Sequence, residues 1–130
     1  NFSKKKMYLE QGCSFVLISS LAAHEGSMGN SLYAATKGAL EGFLAPGAAE
    51  LAKKNIRLNI VVPGFVKTSM TDTFLKRATK EQMENLEKQY PLGFGEPEQI
   101  ANMIEFLISE KSKWVTGQKF HIDGGHMIRF

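Results

Sequence analysis

Apolar and polar positions fall into two kinds of block that take turns along the chain. Short, nearly unbroken apolar runs are followed by longer stretches in which apolar residues recur every three or four positions. The first kind suits a strand buried on both faces of a parallel sheet, the second an amphipathic helix. Cys13 to Ile18 is the first such strand and Ile56 to Val62 the second, cut off by Pro63-Gly64. Thr116 to Ile122 is the third, closed by Asp123-Gly124-Gly125.

Helices fill the intervals. Residues 4–11 read as the end of a helix stopped by Gly12. After a polar loop from Ser19 to Asn30, Ser31 to Lys54 reads as a long helix rich in Ala, Leu and Lys. Pro46-Gly47 should bend or break it near Ala45-Pro46, because an interior proline costs about 3 kcal/mol. Thr68 is placed to cap a short helix through Lys76. Thr79 and Gln82 have capping-box spacing at the head of another, which Pro91 ends. Pro97 suits a first helical position, and behind it Ile100, Met103, Ile104, Leu107 and Ile108 share a face.

This order predicts an α/β fold with a parallel sheet and right-handed crossovers. Only three strands are visible, whereas a doubly wound dinucleotide-binding sheet has about six, with a Gly-rich phosphate turn after the first. No such turn follows a strand here. Residues 1–130 are therefore expected to form one partial domain, the C-terminal half of a doubly wound Rossmann sheet, without its N-terminal phosphate-binding half.

Composition narrows the function. With 43% hydrophobic and 22% charged residues, the chain has ordinary globular composition rather than that of a disordered or collagen-like one. No apolar run approaches the roughly 18 residues of a membrane span, so no membrane partner is expected. The net charge of +3 is small and dispersed, which disfavours a nucleic-acid-binding module. The single cysteine, Cys13, excludes an internal disulfide and fits a reducing, cytoplasmic setting, where it would pack as a small hydrophobe. His24, His121 and His126 are too scattered for a metal site.

The chemistry gathers at three residues. Ser20 lies just past the carboxyl end of the first strand, where open α/β sheets bind ligands. Tyr33 follows in the first turn of the long helix, and Lys37, four residues on, projects from the same face. Singly these are a turn serine and a solvated helix pair. The order strand, Ser, gap, Tyr-Ala-Ala-Thr-Lys, helix, strand, Pro-Gly is far more specific.

That order resembles the classical short-chain dehydrogenases/reductases. The likeness rests on Leu17-Ile18-Ser19-Ser20, on Tyr33-Ala34-Ala35-Thr36-Lys37, and on the run from Asn59 through Pro63-Gly64-Phe65-Val66-Lys67-Thr68. Pro91 to Pro97 and Thr116 to Gly125 match the family's C-terminal elements, with 3-oxoacyl-acyl-carrier-protein reductases the nearest branch. The resemblance implies an NAD(P)-dependent oxidoreductase that interconverts a carbonyl and a secondary alcohol, with NAD or NADP left open. It implies Tyr33 as acid/base, Lys37 as the cation that tunes the phenol and holds the nicotinamide ribose, and Ser20 as the group that orients the substrate oxygen. The 13-residue spacing to Tyr33 favours Ser20 over Ser19 as the family serine. Pro63, Gly64, backbone groups of Val66 and the Thr68 hydroxyl are implied to clamp the nicotinamide carboxamide.

The resemblance further implies a small-molecule carbonyl or alcohol substrate, an acyl-carrier thioester being the best single choice. It implies a homodimer or homotetramer too, in which the long helix supplies half of a four-helix interface. Met70, Phe74 and Met83 could line a substrate lid or simply pack. The competing reading is a non-catalytic fragment or binding subunit that retains the fold, which the missing phosphate turn favours.

Overall fold

The structure, a computed structural model, describes residues 12–128, so the helix end expected over 4–11 lies outside the described residues. In chain order they form β1 (Ser14–Ile18), a 3-10 turn (Leu21–Ala23), α1 (Ser31–Ala52), β2 (Arg57–Pro63), α2 (Ser69–Arg77) and α3 (Lys80–Glu87). There follow α4 (Pro97–Ile108), a second 3-10 turn (Glu110–Ser112) and β3 (Lys119–Ile122). The expected strands, capped helices and parallel pairing are all present. The sheet order is β1-β2-β3, with Ile18 opposite Val61 and Val62 opposite His121.

β2 is the centre, and its side chains alternate between two layers. Leu58, Ile60 and Val62 form the core with Leu44 and Ala48 of α1. Arg57, Asn59 and Val61 face α4, whose Leu107 is fully buried. β1 departs from the expectation of burial on both faces: Phe15 is 38% and Ile18 46% exposed. Among the described residues β1 is an edge strand, paired on one side alone. β3 is shorter than the expected run from Thr116. Gly117 takes a left-handed conformation there, and the Thr116 hydroxyl and the Asn59 side chain replace ladder bonds to Leu58 N–H and Gln118 N–H.

The expected break at Pro46 does not occur: α1 runs unbroken from Ser31 to Ala52 with Pro46 inside it. Two features explain this. Pro46 is exposed, and the Gly42 carbonyl that loses its donor is exposed as well, so water can serve it. Leu44, Gly47 and Ala48 are buried around the proline, with half-buried Leu40 and Leu51 on the same core. Burying a large apolar side chain contributes about 1.5–3 kcal/mol, so several of them outweigh a local cost of about 3 kcal/mol. Gly47 fits closely as well: a Cβ on it would lie 2.7 Å from the Phe43 ring.

Candidate active site

The carboxyl ends of β1 and β2 open into a cavity of about 530 Å³. Every residue to which the resemblance gives a catalytic or cofactor-binding role lines it: Ser20, Tyr33, Lys37, Pro63, Gly64, Val66 and Thr68. Part of its wall comes from α4: Ile100 and Ile104, two members of the apolar stripe read from the sequence, with Ala101 beside them. Polar groups thus meet across a largely hydrocarbon hollow, the usual composition of a small-molecule site.

Ser20 caps the 3-10 turn, its Oγ accepting from Ala22 N–H at 3.2 Å. Among the described residues its own proton has no acceptor, so it can donate into the cavity. Ser19 is different: it is buried, and its hydroxyl donates to Glu41 Oε1 at 2.7 Å. The two serines, of which the 13-residue spacing to Tyr33 favours Ser20, thus also differ in where their protons go.

α1 presents Tyr33 and Lys37 one turn apart. Lys37 Nζ donates to the Ile18 carbonyl at 2.9 Å, which anchors the ammonium to the end of β1 and, among the described residues, leaves two protons unspent. It stands 5.6 Å from the centroid of the Tyr33 ring, and Tyr33 is 48% exposed. Tyr90 makes the contrast. Its phenol is pushed up to about 12, by burial first and then by the Glu25 and Asp123 carboxylates, so it stays protonated. Tyr90 packs against Phe65, Phe94 and His126 as a structural aromatic.

The turn after β2 is held by a single bridge. Gly95 N–H donates to the Phe65 carbonyl at 2.9 Å, and Lys67 N–H donates to the Gly95 carbonyl at 2.9 Å. A parallel bridge made through the flanking residues turns Val66's own N–H and C=O away from Gly95. The Thr71 hydroxyl accepts from Thr68 N–H at 2.9 Å and lies 3.0 Å from the Val66 carbonyl. Sequence reading missed Thr71. Its position three residues after a helix N-cap was the available signal.

Gly64 has a tighter role than close approach of a ligand. A Cβ there would sit 2.8 Å from Asp123 Cα, so the glycine lets the turn pass against the end of β3. Gly124, at φ +61°, likewise leaves room for the Gly93 carbonyl 2.8 Å from where its Cβ would be. Of the candidate lid residues, Met70 lines the cavity and Phe74 packs edge-on against Phe65.

A larger hollow of about 700 Å³ lies between His24–Ser27, Lys88–Pro91 and His126–Ile128. Pro91 of the C-terminal motif lines it, but none of the residues to which the resemblance gives a catalytic or cofactor-binding role does. Its His126 is spent on Glu25, the Gln89 carbonyl and the Tyr90 ring. The smaller cavity is the one at the carboxyl ends of the strands, where Ser20, Tyr33 and Lys37 meet.

Comparison with known proteins fits this geometry. Residues 3–127 match the family model described as enoyl-(acyl carrier protein) reductase. The chain is 44% identical over 122 residues to carbonyl reductase family member 4 of Xenopus laevis, covering 93% of this chain and 48% of that protein. It is 41% identical over 123 residues to the 3-oxoacyl-[acyl-carrier-protein] reductase FabG of Thermotoga maritima, covering 94% and 48%. The chain therefore spans about half the length of the curated relatives it matches. Among solved structures, a short-chain type dehydrogenase/reductase of Mycobacterium ulcerans superposes with a TM-score of 0.83 at 36% identity, covering 92% and 43%. A 4-hydroxyisoleucine dehydrogenase complexed with NADH gives 0.83 at 32%, covering 90% and 48%. With its serine, tyrosine and lysine around one cavity at the strand ends, the chain belongs to the short-chain dehydrogenase/reductase family.

Proposed function

We propose that these 130 residues supply the nicotinamide and substrate half of an NAD(P)-dependent oxidoreductase that interconverts a carbonyl and a secondary alcohol. The observation that carries the reading is the convergence of Ser20, Tyr33, Lys37 and Val66 on one apolar-walled cavity. The open edge of β1 and the match to half of each relative support a partial domain, whose phosphate-binding half lies elsewhere.

A nicotinamide cofactor, when bound, gives or takes the hydride. The residues present fit its nicotinamide end. Val66 turns its N–H away from the Gly95 bridge, where a carboxamide oxygen can accept it. The two remaining protons of Lys37 suit ribose hydroxyls. Tyr33 donates its phenolic proton to the alkoxide that forms as the carbonyl is reduced, or removes it in the reverse direction. Ser20 donates to the same oxygen, and its cap bond holds it ready to do so. A 3-oxoacyl thioester is the favoured substrate, following the FabG relative. The working form in this reading is a homodimer or homotetramer, and the single cysteine fits a reducing, cytoplasmic setting.

Tyr33→Phe in the complete enzyme tests this reading. Turnover should fall by on the order of 10³-fold while NADPH or NADH still binds, because the ring remains and only the proton is lost. A variant with near wild-type kcat overturns the assignment. With the phosphate-binding half elsewhere, the 130 residues alone are expected neither to bind NADH or NADPH at micromolar concentration nor to reduce a simple ketone. Calorimetric titration decides, and tight binding would show that the phosphate-binding half is dispensable.

A further inference from the structure

Glu41 lies one helical turn beyond Lys37 and two beyond Tyr33, with its side chain only 11% exposed. It reaches three other parts of the chain. Oε1 accepts from Ser19 Oγ at 2.7 Å and lies 3.0 Å from His24 Nε2, and Oε2 accepts from Lys119 Nζ at 2.7 Å. Ser19 immediately precedes Ser20, and His24 is the C-cap of the 3-10 turn that Ser20 begins. One carboxylate therefore grips both ends of the turn that carries Ser20 and ties it to the helix that carries Tyr33 and Lys37. Lys119 anchors the same carboxylate to β3 on its far side.

We propose that Glu41 is a positioning residue for the reaction, setting the distance between the Ser20 hydroxyl and the Tyr33–Lys37 pair. The proposal rests on the active-site reading above.

The physical case is one of tolerance. Ser20 and Tyr33 stand on separate pieces of backbone joined by a polar loop, in which Gly26, Ser27 and Gly29 are all exposed. Covalent connection therefore leaves their separation loose. Both must reach one substrate oxygen, and a misplacement of about 1 Å costs on the order of 10²-fold in rate. Near Glu41 the charged and titratable groups are His24, Lys119 and, beside His24 at 5.4 Å between ring centroids, His121. Burial alone would push the Glu41 carboxyl up, but its bonds to Lys119 and Ser19 and the charge of His24 more than offset this and hold it below the ordinary carboxylate range. It is thus ionised, and able to accept all three bonds, at neutral pH.

A double-mutant cycle in the complete protein tests the proposal, with ethyl acetoacetate as the probe substrate and NADPH or NADH in excess. Glu41→Ala should lower kcat by roughly 10- to 100-fold while the dissociation constant of the cofactor changes less than about threefold. In a Ser20→Ala background the same substitution should cost less than about threefold, because the group it positions is gone. Glu41→Gln, which keeps an acceptor for Ser19, should recover part of the loss. Lys119→Met should lower the melting temperature and leave kcat within about twofold, since the grip on Ser19 and His24 remains. Equal losses from Glu41→Ala in both backgrounds would overturn the positioning role and leave the active site standing. Undiminished kcat in Ser20→Ala alone would overturn the site reading, and the proposal with it. Should Glu41→Ala not fold, Ser19→Ala, which removes one bond and no charge, is run through the same cycle with the same criterion.

Discussion

The two ends of β2 are built to opposite rules. At its amino end nearly every polar group is spent within the protein. Arg57 donates to the Leu107 carbonyl at 2.8 Å, to Ser112 Oγ at 3.0 Å and to the Ser109 carbonyl at 3.1 Å, closing the end of α4 onto the strand. Asn59, fully buried, donates to the Val115 carbonyl and accepts from Gln118 N–H. At the carboxyl end Lys37 makes a single hydrogen bond among the described residues, Tyr33 stands half exposed, and Val66 turns its N–H out of the bridge. A saturated end fixes the scaffold, and an unsaturated one is where a ligand can supply the missing partners. Exposed polar groups that share one apolar-walled hollow are the usual make-up of a small-molecule site, so their concentration at one end is itself a functional signal.

The contrast makes predictions, largest first. Arg57→Leu should destabilise the fold by about 3 kcal/mol, because it strands several part-buried acceptors at the end of α4. Denaturant unfolding measures this, and a loss under about 1 kcal/mol would show that the amino end is not the rigid one. Gly64→Ala works on the other end. Its Cβ would meet the backbone of Asp123 rather than a flexible side chain, so we expect a loss of about 2 kcal/mol together with weaker cofactor binding. Full stability with full binding would mean that the β3 turn yields freely.

The helix that spans both ends gives a smaller effect of opposite sign. Pro46→Ala should stabilise by about 1 kcal/mol, since α1 is continuous and recovers a hydrogen bond at an exposed position. A destabilised variant would mean that the proline sets the path of the helix. The smallest effect is pH-dependent. The Glu41 carboxyl is held below its ordinary value of 4.5, so its contribution is full above that pH and is lost as pH falls through the lowered folded value. The gap in melting temperature between wild type and Glu41→Gln should therefore be widest near neutrality and close on acidification. A gap that stays constant or grows below pH 4.5 would break the account.

Wherever the determining contacts are local, the sequence was sufficient. Apolar runs specified the three strands. Thr79 with Gln82, and Pro97, marked helix starts, and the four-residue step from Tyr33 to Lys37 put both on one face. Such features depend on backbone periodicity and on partners within a turn, which a one-dimensional pattern records. Tertiary structure alone decided the rest. Whether Pro46 breaks α1 depended on burial of Leu44 and Ala48 against strands elsewhere in the chain. Which serine keeps a free proton depended on Glu41, 22 residues from Ser19, and Glu41 in turn holds Lys119, 78 residues away. Arg57 looks like an ordinary strand cation until α4 folds back over it. In each case the balance is set by groups distant in sequence that become neighbours only when the sheet and its two helical layers have closed.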